Sequence, residues 1–156
     1  MKHFYKGLVF AAFLISAVFV SASSAQTVSG SIANGSVSRG TTARGYVRLH
    51  IPAGLHVNSS RPASEYALAT KVTLKASGVK LSDPIYPKGT NRTFRFSKVP
   101  INVYEGTVAF PFRVTVPKGF RGRTVTVRAS VYYQACTDEV CYPPKTKTVT
   151  ITARVR

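Results

Sequence analysis

Two cysteines, five carboxylates and three histidines are the side chains of this 156-residue chain best suited to acid–base, nucleophilic or metal chemistry. The carboxylates Glu65, Asp83, Glu105, Asp138 and Glu139 supply little for a paired-carboxylate site. The cysteines stand five positions apart, in Tyr133-Gln134-Ala135-Cys136-Thr137-Asp138-Glu139-Val140-Cys141-Tyr142-Pro143-Pro144. Sulfur chemistry is therefore the chemistry on offer. Zinc would need two more ligands beside the cysteines. Only His50 and His56 lie downstream of the N-terminal segment, and neither shows metal-site spacing to Cys136 or Cys141. His50 is expected to face solvent on a strand and His56 to pack at a turn. A Cys–His nucleophilic enzyme needs a thiolate beside an activating base, and the sequence presents no such pairing. No cofactor motif is present.

The elements that must hold this pair are strands. Val108, Phe110, Phe112, Val114 and Val116 alternate with Thr107, Ala109, Arg113 and Thr115. The same period of two returns in Val125–Tyr133 and Val149–Val155, in Val47–Ile51, and around Lys71–Ala76. Pro52–Gly54, Asn58–Pro62, Pro87–Thr90, Pro117–Gly122 and Pro143–Pro144 punctuate these runs. Six to eight short strands without an amphipathic helix point to a single all-β domain, an antiparallel β-sandwich. An antibody-type domain is excluded, because that pattern needs two distant cysteines beside a buried Trp, and Trp is absent. Residues 26–40, rich in Ser and Gly, read as a flexible lead-in to a sandwich spanning 41–156.

Composition agrees and sets the compartment. Hydrophobic residues make up 44% and charged residues 17%, which allows a packed core. Two cysteines, no Trp and one Met exclude a disulfide-dense miniprotein, an all-cysteine zinc site and a Met-rich copper carrier. Residues 1–25 read as a secretory signal: Lys2 and Lys6 precede an apolar run, Leu8–Val20, that only Ser16 interrupts. That run is short of the roughly 20 residues needed to span a bilayer. Ser23 and Ala25 place cleavage after Ala25. The expected product is soluble, exported and periplasmic, in an oxidising compartment where a disulfide can persist.

Strand ends near Tyr133 and Lys145 put both cysteines on one hairpin loop, where a reversal can bring them within disulfide range. So short a loop would contribute only about 2 kcal/mol as a staple. Three readings stay open from the residues: a structural hairpin disulfide on a noncatalytic binding module of the envelope, a metal-handling pair, and an exchange site.

The cysteine segment, Tyr-Gln-x-Cys followed by Cys-Tyr-Pro-Pro, resembles the N-terminal periplasmic domain of the thiol:disulfide interchange protein DsbD. Gly54-Leu55-His56-Val57-Asn58-Ser59 and Val103-Tyr104-Glu105-Gly106 resemble further segments of that family, so the likeness covers most of residues 42–155. It implies an immunoglobulin-like sandwich whose Cys136–Cys141 pair relays electrons as a thiol–disulfide reductase. It also implies that Cys141 forms mixed disulfides and Cys136 resolves them. Tyr133, Gln134, Tyr142 and Pro143 would shape the surface around the sulfurs. Phe94, with Tyr86 and Phe96 as alternates, would supply an aromatic cap. The best-known members carry one more residue between the cysteines. The likeness does not reach the transmembrane conduit and thioredoxin-like domain that complete DsbD. The implied partners are therefore thioredoxin-like periplasmic proteins or a separate membrane electron-conduit protein.

The charge is lopsided, with 22 Lys+Arg against 5 Asp+Glu and a net +17. Export argues against nucleic acid as the partner. The charge suits a solvated surface, steering toward acidic proteins, or attraction to anionic envelope surfaces. Asp138 and Glu139 sit between the cysteines, where their negative charge disfavours a thiolate, and Lys145 and Lys147 could offset part of that.

Overall fold

The computed structural model describes residues 25–156, so the segment read as a signal lies outside the described residues except for Ala25. The chain order is β1 (Thr27–Ile32), a 3-10 turn (Ala33–Gly35), β2 (Ser36–Val37), β3 (Thr42–His50), β4 (His56–Asn58), β5 (Lys71–Ala76) and β6 (Lys80–Leu81). It continues with β7 (Thr90–Arg92), β8 (Ile101–Tyr104), β9 (Thr107–Thr115), β10 (Thr124–Tyr133), β11 (Ala135–Cys136) and β12 (Lys145–Val155). No α-helix is present among the described residues.

Two four-stranded sheets, β1-β3-β9-β6 and β2-β12-β10-β5, form the body of an immunoglobulin-like sandwich. Alternation decides which side chains meet between them. On β9, Val108, Phe110, Phe112 and Val114 are buried, while Thr107 and Arg113 face solvent. On β10, Val125, Val127, Ala129, Val131 and Tyr133 are buried, with Thr126 and Arg128 outside. On β12 the buried set is Ile151, Ala153 and Val155. Each fully buried Val or Phe contributes roughly 1.5–3 kcal/mol, so these rows hold the body together.

Residues 26–40 are not a loose lead-in. Thr27–Ile32 pair antiparallel with Gly45–His50 of β3, and Val37 pairs with Val155 of β12. The Ser and Gly content has a packing reason. Gly30 lies against the side chain of Ile151 in the opposing sheet, where a Cβ would collide. Only Ile32 and Val37 of this stretch are buried in the apolar core, with Val28 packed partly against it, too few to show a clear period.

A third sheet, β11-β4-β8-β7, is small and sits at one end of the sandwich. Its strands have two to four residues each. It carries a separate apolar cluster of Phe94, Ile101 and Val103. The turn Pro52–Leu55, closed by a bond from the Leu55 N–H to the Pro52 carbonyl (3.2 Å), delivers the chain into β4. Gly54 takes φ +78° there, a left-handed conformation that a side chain would resist.

Candidate redox site

The cysteine hairpin is built from the small sheet outward. After β10 ends at Tyr133, Ala135 and Cys136 pair with Val57 and His56 of β4. The chain then reverses through Thr137–Val140. The Thr137 N–H donates to the Val140 carbonyl at 2.8 Å, and the Thr137 hydroxyl accepts from the Glu139 and Val140 N–H groups. The Tyr142 N–H returns to the Ala135 carbonyl at 2.8 Å, so Cys136 and Cys141 face each other across an antiparallel bridge. They are joined, with S–S 2.06 Å and Cα atoms 4.0 Å apart. Cys136 is wholly buried, whereas Cys141 is only partly covered.

Gln134 ties this hairpin to its surroundings. Its Nε2 donates to the Tyr142 carbonyl at 3.3 Å, and its Oε1 accepts from Asn58 Nδ2 at 3.3 Å. Asn58 also donates to the Leu68 carbonyl (3.1 Å), fixing the loop that carries Tyr66 beside the site. Beside Cys141 a hollow of about 180 Å³ is lined by Asn58, Tyr66, Ala67, Phe96 and Ile101. An open groove of about 590 Å³, lined in part by Tyr142, runs between Gln26, Leu55, Pro143 and Lys145. Tyr142 is exposed and lines this groove, while its neighbour Cys141 lines the hollow. The apolar side chains Tyr66, Leu68, Phe96, Val99, Val140 and Tyr142 are all exposed, and they belong to the loops and hairpin of this end.

Beneath the surface lies an aromatic stack. The His56 ring, cross-strand neighbour of Cys136, packs parallel to Phe94 with centroids 4.2 Å apart. Phe94 in turn stacks on Phe96 at 5.2 Å. Arg92 lies over the Phe94 ring and pairs with Glu105, and it also reaches Asp138 at 3.5 Å. Burial pushes the His56 pKa below the usual imidazole value. Asp138 and Glu105 pull it back up, and Arg92 pushes it further down. The Asp138 carboxylate between the cysteines thus has a cation beside it, supplied by Arg92 on β7 and not by Lys145 or Lys147.

The structure places the candidate residues unequally. Cys136, Cys141, Gln134, Tyr142 and Pro143 share the hairpin, and Tyr142 and Pro143 are exposed. Tyr133 is buried, its hydroxyl 3.5 Å from Gln26 Oε1, and burial raises its pKa. It lies beneath the hairpin and contributes to the floor of the open groove beside Tyr142. Phe94 is buried in the small sheet's own cluster, and of the three cap candidates Phe96 is the one that lines the hollow at Cys141, together with Tyr66. Tyr86 lies elsewhere, packed on Phe110 with its hydroxyl accepting from the Val72 N–H. Sequence reasoning missed His56 as the neighbour of Cys136. The Gly-x-His-x-Asn segment was visible, but its pairing spans 80 residues and leaves no local period. Tyr66 and Arg92 were missed for the same reason. Among the described residues no group of three or more His, Cys, Asp or Glu could hold a metal ion. Nor is any helix among them long and apolar enough to cross a membrane.

Comparison with known proteins fits this geometry. The N-terminal periplasmic domain of ScsB from Proteus mirabilis superposes with a TM-score of 0.53 at 11% identity, over 80% of this chain and 45% of that one. At that identity the match speaks for the fold, and this chain spans under half of the ScsB structure's length. AvmM, which catalyses macrocyclization in alchivemycin A biosynthesis, aligns over 81% of this chain at 11% identity, with a TM-score of only 0.31. No curated protein sequence matches significantly. The family described as "Thiol:disulfide interchange protein DsbD, N-terminal" matches residues 25–153, nearly the whole described domain. A disulfide-bearing hairpin on an immunoglobulin-like sandwich, matched along its length by that family, makes this chain a member of the DsbD N-terminal domain family of thiol–disulfide interchange proteins.

Proposed function

We propose that this domain relays electron pairs in the periplasm through the Cys136–Cys141 disulfide, acting as a protein-disulfide reductase toward thioredoxin-like partners. The observation that carries the reading is the asymmetry of the pair: Cys141 is partly exposed beside a hollow, while Cys136 is buried. A donor thiolate attacks Cys141 Sγ in line with the S–S bond, and Cys136 departs as a thiolate that takes up a proton. The donor's second thiolate then attacks its own sulfur in the mixed disulfide and releases Cys141 reduced. In the second half, the Cys141 thiolate attacks the disulfide of an oxidised acceptor. Cys136 then attacks Cys141 Sγ, which restores the internal disulfide and leaves the acceptor with two electrons and two protons. The exposed apolar rim of Tyr66, Phe96, Val140 and Tyr142 suits the face of a partner brought to that sulfur. A separate membrane electron-conduit protein is the alternative source of electrons.

Export is part of the reading, with residues 1–25 removed as a signal. The exported protein, with a mass beginning at Gln26, is the material for the test. Redox titration against dithiol buffers, read by alkylation and mass, should give a potential more oxidising than about −300 mV. A potential well below that value belongs to a structural disulfide and would contradict the relay.

A further inference from the structure

The end of the sandwich farthest from the disulfide carries a cluster of a different kind. Arg39, Lys118, Arg121, Arg123, Arg154 and Arg156 come from three separate stretches of chain, and all six are exposed. The backbone joins those stretches. The Arg39 N–H donates to the Arg156 carbonyl at 3.2 Å, and the Val155 N–H donates to the Arg123 carbonyl at 2.8 Å. The Arg39 guanidinium holds the 117–123 loop by donating to the Phe120 carbonyl at 2.9 Å and the Gly122 carbonyl at 3.3 Å. The stem of Lys118 lies against Gly40. None of the five carboxylates is in these stretches. Glu105 and Asp138 pair with Arg92 at the cysteine end, Glu139 sits between the cysteines, and Glu65 is in the loop beside Cys141. Asp83 follows β6 at the sheet edge. The cysteine end mixes both signs, with Lys71, Arg92, Lys145 and Lys147 among its carboxylates, whereas the far pole presents six cations from stretches that contain no carboxylate. Strand β10 links the two ends, and its length at about 3.3 Å per residue sets them roughly 30 Å apart.

We propose that this basic pole is an electrostatic docking surface for an anionic lipid bilayer, holding the domain with its disulfide directed away from the membrane. Charge complementarity names the occupant, and the missing apolar centre narrows it. A specific protein interface has an apolar core with a polar rim. Here the nearest large apolar group, Phe120, is half-buried and turned onto the core beside Gly78 and Gly122. None of the exposed large apolar side chains lies at this end. Long, mobile cations with no apolar centre suit a plane of phosphate headgroups, where each contributes independently within a Debye length. The proposal does not depend on the redox reading, and its test uses no thiol chemistry.

The test is co-sedimentation of the purified protein with vesicles of phosphatidylcholine and phosphatidylglycerol at about 3:1. Binding is expected at low salt and is expected to disappear near 0.5 M NaCl. Lys118→Gln with Arg121→Gln should weaken partitioning about 25-fold, from about fivefold per cation near the surface. Lys71→Gln with Lys75→Gln removes the same charge from the outer face of β5 and should weaken it less than threefold. Equal loss from both pairs would reduce the effect to net charge and overturn the pole. Binding to pure phosphatidylcholine vesicles, or insensitivity to salt, would overturn the electrostatic basis. Displacement by about 10 mM inorganic phosphate at constant ionic strength would indicate a small-anion site. Retention on polyglutamate without vesicle binding would assign the pole to acidic proteins. Circular dichroism and thermal melting of both variants confirm that each is folded.

Discussion

The sandwich body and the small cysteine-bearing sheet are made of the same residue types but held by different means. In the body, β9 and β10 bury a side chain at every second position, and β3 and β12 do so over their C-terminal halves. Phe110 is fully buried in the main apolar core, with Tyr86 and Tyr104 set edge-on to its ring. In the small sheet the strands are too short to stabilise themselves, and side chains take over. The Asn58–Gln134 bond, the His56–Phe94–Phe96 stack and the Arg92 bridge to Glu105 and Asp138 connect segments distant in sequence. The contrast separates a scaffold fixed by apolar burial from a site whose proposed reaction breaks and re-forms its central bond. Breaking the disulfide costs the small sheet one cross-link and leaves the rows of the body untouched.

The largest effect should come from the body. Phe110→Ala empties a core position with no exposed surface, and such truncations cost about 3–5 kcal/mol. Against the roughly 5–15 kcal/mol of a typical domain, the urea midpoint should fall steeply. A loss under about 1 kcal/mol would show that the two sheets are less closely interdigitated than described here.

A smaller effect is expected at the cysteines. The double variant Cys136→Ser/Cys141→Ser should lose only about 2 kcal/mol and keep a cooperative thermal transition with β-type circular dichroism. An unfolded double variant would make the bond a staple and erase the distinction between the two regions.

The two regions also differ in how much of them could be read from the chain. Alternation at Thr107–Val116 and Val125–Tyr133 is a local signal, because a half-buried strand writes its burial pattern every second residue. β5 was equally legible at Lys71–Ala76. Tyr133 and Lys145 marked the ends of the cysteine hairpin, and Cys-Tyr-Pro-Pro carried the family likeness. Strand β1 escaped because Thr-Val-Ser-Gly-Ser-Ile offers one fully buried residue, and its glycine is chosen for contact with Ile151 in the other sheet. The surroundings of the disulfide escaped for a related reason. His56, Arg92 and Tyr66 reach it through pairings between remote segments, and two- to four-residue strands are too short to display a period.

The smallest effect is a pH dependence confined to the small sheet. Burial holds the His56 pKa below that of an unfolded chain, near 6.5. The unfolded state therefore binds the proton first as pH falls, and stability drops through the window between 6.5 and the lower folded value. The groups set around the ring are Asp138, Glu105 and Arg92, with Cys136 opposite on β11. His56→Phe keeps a ring for Phe94 to stack on and removes the titration. Urea midpoints at pH 7.5 and pH 5 should differ less in this variant than in the parent, and an unchanged difference would place the acid sensitivity elsewhere.

The central claim is that the partly exposed cysteine exchanges and the buried one resolves. Trapping tests it directly, using a thioredoxin-like partner that lacks its own resolving cysteine and carries its remaining thiol as an activated mixed disulfide. Cys136→Ser, which keeps Cys141, should form a stable covalent complex visible on non-reducing gels and by mass. Cys141→Ser, which keeps the buried Cys136, should form little or none under the same conditions. Equal trapping by both variants would contradict the assignment of roles, and trapping by neither would return the disulfide to a purely structural part.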